Sequence, residues 1–256
     1  MRKRPYVLTI AGFDPSSGAG LTADIKAFEA LKCYGLAVCT ANTVQNDIKF
    51  ESCYWTDIEI VKNQIELVFN RFSIDFVKIG IVENWVVLEE IVDFLIAKNP
   101  TIKIIVDPVL KSSSDYDFHR PLKNQSNQNE ILFDRILNKI YLLTPNYNEI
   151  KELYSAKSIE ETIKHISEKT NLLLKGGHAE KAVGKDTLFT KEEMEFSLNP
   201  KMKNISEKHG SGCVLSAAIT AQLAVGFSLL KACYRAKRYT EKVLSSNTTL
   251  LGYHNI

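Results

Sequence analysis

Short β-branched runs alternate with stretches of helical periodicity along most of the chain. Residues 6–11 read as a strand. A helix over 21–32 follows, with Leu21, Ile25, Phe28 and Leu31 at helical spacing and Gly35 closing it. Residues 36–44 form the next strand. Asp57 then stands as N-cap of a helix whose Ile58, Val61, Ile65, Val68 and Phe72 share one face. The alternation continues with a strand at 76–79, a helix at 85–98 and a strand at 102–106 that is almost free of polar residues. Residues 141–143 and 172–174 add strands, with helices near 148–154 and 159–169. Two helices, 213–225 and 229–250, close the chain around Gly226-Phe-Ser. Continuously apolar strands alternating with helices predict a mainly parallel sheet covered on both faces. The right-handed crossover rule makes this an α/β protein, a three-layer α/β/α sandwich. No repeat or linker-like shift in composition interrupts it, so residues 1–256 read as one domain. The polar, pattern-free segment 112–129 reads as a surface loop, with a lid as the sharper alternative.

Composition narrows the function classes. Hydrophobic residues make up 45% and charged residues 24% of 256 positions, as in an ordinary soluble globular protein. The net charge of +2 argues against a protein that coats nucleic acid or an anionic membrane. The apolar stretch 214–227 carries Ser216, Thr220 and Gln222, and is too short and too polar to span a bilayer. Met1-Arg-Lys-Arg4 precedes the apolar run 6–13. Asp14-Pro15 breaks that run and no A-x-A site follows, so a first strand is expected rather than a signal peptide. Five cysteines, an odd number without C-x-x-C spacing, argue against a disulfide framework or a four-cysteine zinc site. They suit a reducing, cytoplasmic setting.

In an open parallel sheet, ligands bind beyond the carboxyl ends of the strands. The strands here are followed in turn by Gly12-Phe-Asp14-Pro-Ser-Ser-Gly-Ala-Gly20, Gln45-Asn-Asp47, Lys78-Ile-Gly80, Asp107-Pro108, Thr144-Pro-Asn146 with Glu149, and Lys175-Gly-Gly-His178. Turns need Gly, Pro, Asn and Asp in any case. The gathering of carboxylates, amides and a lysine at six strand ends nevertheless places a candidate active site on this edge.

His209-Gly-Ser-Gly-Cys213 opens the helix at 213. Such a loop either directs backbone N–H groups and the helix dipole onto an anion or is a flexible turn with Ser211 as cap. A nucleophile elbow would need glycine at 209 and 213, and a Walker A loop fails because Gly184-Lys185 is followed by Asp186. Cys213, in the first turn, is placed for a dipole-favoured thiolate, whereas the other cysteines read as packing. Asp107 and Glu149 are the candidate Mg²⁺ ligands, since Mg²⁺ takes one or two carboxylates together with water and substrate phosphates. Lys175 is the candidate charge facing a polyphosphate. The five histidines show no metal-ligand spacing, and the basic residues Lys231, Arg235, Lys237, Arg238 and Lys242 read as a solvated helix face.

Five motifs occur in order. They are the run from Ala11 through Asp14 and Gly20 to Lys26, then Val106-Asp-Pro-Val109, Leu143-Thr-Pro-Asn146, Leu174-Lys-Gly-Gly-His178 and His209-Gly-Ser-Gly-Cys213. Together they resemble the hydroxymethylpyrimidine/phosphomethylpyrimidine kinases of thiamine biosynthesis, in the ribokinase-like superfamily. The resemblance implies an ATP- and Mg²⁺-dependent phosphotransferase acting on a pyrimidine hydroxymethyl group and then on the monophosphate. It implies that Gly12, Asp14 and Gln45 line the pyrimidine pocket and that Gly210, Ser211 and Gly212 form an anion hole. Cys213 would stand where sugar kinases of the superfamily carry an Asp base. Asp107 and Glu149 fall in the metal region, and Asn146 and Lys175 in the nucleotide-phosphate region. Relatives of this kind are often homodimers. Ser17, Ser211 and Ile81 replace a common glycine, threonine and methionine of the pattern, which bears on specificity and makes pyridoxal phosphorylation the nearest competing activity.

A rival reading comes from Gly18-Ala-Gly20-Leu-Thr-Ala23, which satisfies the G-x-G-x-x-A dinucleotide fingerprint. Six residues separate its first glycine from the strand, where a tight turn is required, and Gln45 stands where an acidic ribose ligand belongs. An NAD-dependent oxidoreductase is therefore the remote alternative.

Overall fold

Strand β1, Tyr6–Phe13, buries Val7, Leu8 and Ile10 completely, Val7 on one side of the sheet and Leu8 and Ile10 on the other. That two-sided burial is why the central strands read as apolar runs. The computed structural model describes residues 4–111, 117–118, 126–176, 184–202 and 205–254. His119, Gly177, His178 and most of the segment 112–129 lie outside them.

After β1 come α1 (Gly20–Ala30), β2 (Tyr34–Gln45), β3 (Phe50–Trp55), α2 (Ile58–Arg71), β4 (Ile74–Ile79), α3 (Trp85–Lys98) and β5 (Lys103–Val106). Then follow α4 (Ser126–Leu137), β6 (Leu142–Leu143), α5 (Tyr147–Leu153), α6 (Ile159–Ser167), β7 (Asn171–Leu174), β8 (Asp186–Phe189), β9 (Glu195–Leu198), α7 (Ser211–Ala224) and α8 (Leu229–Leu244). Among the described residues the strands form one nine-stranded sheet of order β3-β2-β1-β4-β5-β6-β7-β8-β9. The six strands from β2 to β7 pair in parallel, and β3, β8 and β9 are antiparallel additions at the two edges. Helices α1, α7 and α8 cover one face over Val7, Ile105 and Leu173, and α2 to α6 cover the other over Leu8, Ile104 and Leu172. This is the expected α/β/α sandwich.

Several elements were not expected. Strand β9 (Glu-Phe-Ser-Leu) is half exposed and β3 lies at an edge, so neither shows the apolar run of a central strand. Residues 126–129, assigned to the polar loop, open α4. The last helix ends at Leu244 with Ser245 as its cap, six residues before the expected 250, because Ser-Ser-Asn turns the chain back over α8. Lys237, expected on a solvated face, is buried against Asp186 at 2.7 Å. The Asp57 cap forms as expected, its side chain accepting from the Glu59 N–H.

The chain leaves β1 through α1 toward β2 and returns to β4 on the opposite side of β1. The crevice above β1 and β4 is therefore the switch point, where the sheet leaves room for a ligand.

Candidate active site

At the end of β1 the register with β2 shifts between Ala11 and Gly12. A Cβ on Gly12 would lie 2.3 Å from Ile81 Cδ1, and one on Gly20 (φ +60°) would lie 2.2 Å from the Gly12 carbonyl oxygen. Glycine is needed at both positions for the loop to fold back on the strand. Thr43 donates to the Phe13 carbonyl at 2.8 Å, and Gln45 Nε2 donates to Thr43 Oγ1 at 2.9 Å. Gly12 and Ile81 thus meet at the switch point, and Gln45, on the neighbouring strand, is joined to β1 through Thr43.

Asp14, expected in the pyrimidine pocket, is bound into its own loop and to His209. It is 1% exposed, and its oxygens accept from the N–H groups of Ser16, Gly18 and Ala19, from the Ser16 hydroxyl and from His209 Nε2 at 3.0 Å. Burial pushes this carboxyl up, but the hydrogen bonds from His209, Ala19 and Ser16 outweigh it and hold it below the usual value. Asp14 shapes the loop that follows β1.

The loop before α7 packs backbone against backbone on the β1–α1 loop. Gly210 is the N-cap with φ +74°, and a Cβ there would lie 2.1 Å from the Gly18 carbonyl oxygen. No side chain caps the helix, so the alternative of Ser211 as cap is not what the fold uses. A Cβ on Gly212 would stand 3.3 Å from Lys175 Nζ and 3.8 Å from Asp107 Oδ2. The helix N-terminus, with its favourable potential for anions, therefore opens onto a lysine.

Asp107 is fully buried at the end of β5. Lys175 Nζ lies 2.6 Å from its Oδ1, Thr144 Oγ1 donates to the same oxygen at 3.2 Å, and Ser216 Oγ donates to Oδ2 at 3.1 Å. Burial raises the Asp107 pKa, but Lys175 and Lys78 outweigh it and keep the carboxyl ionised. Lys175 also lies 3.7 Å from Glu149 Oε2. That same oxygen accepts from the Asn146 N–H at 2.7 Å, and Asn146 Oδ1 accepts from the Asn148 and Glu149 N–H groups. Asn146 and Glu149 are thus the capping box of α5 as well as candidate site residues. Burial lifts the Glu149 carboxyl to about 7; Lys175 works against this and the Asp107 charge adds to it.

Cys213 sits in the first turn of α7, where a thiolate was expected. Burial pushes its thiol up to about 11; the Lys78 charge pulls down, and Asp24 and Asp107 push up further. Desolvation thus exceeds the dipole, and the resting side chain is a thiol.

Sequence reasoning missed a second buried pair. Lys78 and Asp24 are both fully buried and meet at 2.8 Å, with Thr9 Oγ1 donating to the same Asp24 oxygen at 2.6 Å. Lys78 followed a strand and was visible in that position, but nothing in the sequence joins it to residue 24. Of the histidines, His165 meets Asp134 and His254 meets Tyr239, each at 2.8 Å.

The sequence matches the phosphomethylpyrimidine kinase family over residues 14–256. It is 34% identical to a hydroxymethylpyrimidine/phosphomethylpyrimidine kinase of Salmonella typhimurium, covering 97% of this chain and 94% of the relative. The fold resembles the phosphomethylpyrimidine kinase of Clostridium difficile, with TM-score 0.75, 33% identity and coverage of 93% and 98%. It also resembles the Staphylococcus aureus pyridoxal kinase in complex with pyridoxal, with TM-score 0.82, 25% identity and coverage of 99% and 94%.

Proposed function

The chain belongs to the phosphomethylpyrimidine kinase family, and from that premise we propose which of its residues carry the reaction. The protein is an ATP-dependent kinase that phosphorylates hydroxymethylpyrimidine and its monophosphate in the thiamine pathway. The observation behind the site assignment is the glycine at position 212, open toward the buried Lys175–Asp107 pair.

Phosphoryl transfer asks for positioning and charge neutralisation more than for covalent chemistry. In our reading Gly12 and Gln45 hold the pyrimidine at the switch point, with Asp14 bracing the loop that carries it. The backbone of Gly210, Ser211 and Gly212 receives the transferring phosphoryl group at the α7 N-terminus. Lys175 neutralises phosphate charge, with Asn146 beside it. Cys213 stands between these regions and, as a neutral thiol, orients the acceptor hydroxyl.

Asp107 and Glu149 fit a divalent cation. Glu149 is held near neutrality by burial and by the Asp107 charge, a state that an added cation reverses. Among the described residues no group of three or more His, Cys, Asp or Glu side chains gathers. A cation here would take these two carboxylates, its remaining positions going to water and phosphate oxygens. Bound Mg²⁺ would supply charge neutralisation on the ATP phosphates. Glu149 would offer Oε1, since Oε2 serves the capping box.

We read residues 1–256 as one kinase unit and the cytoplasm as its setting, all five thiols being free. Among the described residues no helix is long and apolar enough to cross a membrane. We propose a homodimer formed through the β2–β3 hairpin, where Val44, Ile48 and Tyr54 are exposed.

An ADP-release assay over hydroxymethylpyrimidine, its monophosphate and pyridoxal, with and without Mg²⁺, tests the assignment. Turnover of both pyrimidines that needs Mg²⁺ supports it. Turnover of pyridoxal alone would instead give weight to the likeness to pyridoxal kinase.

A further inference from the structure

Among the described residues the buried lysines are Lys78, Lys175, Lys208 and Lys237. Three of them rest against buried aspartates: Lys78 on Asp24 at 2.8 Å, Lys175 on Asp107 at 2.6 Å and Lys237 on Asp186 at 2.7 Å. Lys208 does not. It is 5% exposed, and its ammonium donates to the Ser206 hydroxyl and to the Asn247 carbonyl at 2.8 Å, both neutral oxygens. A covered charge without a counter-ion is costly, and folded chains rarely keep one without a use.

Lys208 lines a cavity of about 150 Å³ between α1, the start of α7, the end of α8 and the returning segment 251–254. One water needs roughly 10–15 Å³ by this kind of measure, so there is room for a tetrahedral anion. Lys26, His209 and His254 also line it, and among the described residues no Asp or Glu does. Thr240, 7% exposed, lines it too, and its Oγ1 has no hydrogen-bond partner among the described residues. A buried cation lacking a counter-ion and a buried hydroxyl lacking a partner therefore face the same space. Burial lowers the Lys208 pKa; burial, then the Lys26 charge, drives that of His254 to about 4. A bound anion would favour the charged form of both groups.

We propose that this cavity is a second anion site, built for a phosphate group and distinct from the Asp107–Lys175 centre. None of Asp107, Lys175 and Gly212 lines it. The two sites share the 209–212 loop, because His209 and Ser211 border the cavity. An anion held by Lys208 and Thr240 would brace that loop from outside. Val214, Val243 and Leu251 supply an apolar wall, which suits a phosphomonoester as well as free phosphate.

The test uses the full chain with its catalytic site saturated by a non-hydrolysable ATP analogue and hydroxymethylpyrimidine. Inorganic phosphate is then titrated calorimetrically. One further phosphate per chain is expected, with affinity at least tenfold weaker in Lys208→Met and severalfold weaker in Thr240→Val. Phenyl phosphate binding more tightly than phosphate would identify a phosphomonoester as the occupant, and equal binding would identify free phosphate. No phosphate uptake by the saturated wild type overturns the proposal. So does unchanged affinity in Thr240→Val, which loses a single hydroxyl and tests the site even if Lys208→Met does not fold. Turnover by the wild type is measured separately, so the kinase assignment stands or falls apart from this result.

Discussion

His209 Nε2 and Asp14 Oδ2, 195 positions apart in the sequence, meet at 3.0 Å with both side chains almost fully buried. This contact ties the loop before α7 to the loop after β1, the two loops to which we assign the phosphoryl group and the pyrimidine. Under that assignment the two reacting partners would be held by loops that are latched together. Replacing His209 with Ala should lower kcat about 10–100-fold, since misplacing a site by about 1 Å can cost that much. Losing a hydrogen bond to a charged group should also cost about 1.5–3 kcal/mol of stability. His209→Gln, which keeps a donor, should recover part of both. Unchanged kcat in His209→Ala would show that the latch has no part in turnover.

Asp14 also gives a pH dependence of stability. Its folded pKa lies below the unfolded value of 3.8, so its contribution is complete above that value and fades as pH falls through the folded one. Urea midpoints for the wild type and Asp14→Asn should differ at neutral pH and converge as the pH falls below 3.8 and through the folded pKa. A gap that stays constant into strong acid would contradict the assignment.

Gly210 and Gly212 should respond oppositely to alanine. A Cβ at 210 meets the Gly18 carbonyl and requires positive φ, so Gly210→Ala should lower the melting temperature sharply. At 212 the Cβ enters the space before Lys175 and Asp107, within the helix. Gly212→Ala should keep or slightly raise stability, by about 0.5–1 kcal/mol at most, while losing most of kcat. Thermal melts alongside ADP release separate the two.

Removing Lys175 leaves Asp107 buried without its closest cation. Lys175→Met should cost about 3–5 kcal/mol of stability and abolish most turnover. If the variant melts like the wild type, Lys78 is compensating for the lost charge.

Cys213→Ala should reduce kcat far more than it changes the KM for ATP, because the role we propose for the side chain is toward the acceptor hydroxyl. With its thiol pushed to about 11, Cys213 should also alkylate far more slowly at pH 8 than an unperturbed cysteine. Near-normal kcat in Cys213→Ala would remove the residue from the mechanism, and rapid alkylation would contradict its burial.

The central strands were legible because their side chains are buried on both faces. Ile104, Ile105 and Val106 of β5 are apolar whichever way they point. Glu195 and Ser197 of β9 are exposed while Phe196 and Leu198 turn inward, an alternation of four residues that is too short to stand out among its polar neighbours. The candidate site residues were legible by position, since each follows a strand or opens a helix. Their protonation was not. The dipole at Cys213 could be read from the sequence, whereas the burial that overrides it could not. Asn146 and Glu149 stood at capping-box spacing, and it took the fold to show that they also flank Lys175.

Sequence alone determined the alternation of elements, the sandwich and the edge on which chemistry gathers, because these follow from local periodicity and from what turns and caps require. Only the tertiary structure decided that Lys78 neutralises Asp24, that His209 latches to Asp14 and that Lys208 has no counter-ion among the described residues. Pairing between distant segments is set by how helices and strands pack, and the free energy of a buried charge depends on neighbours that no local pattern names.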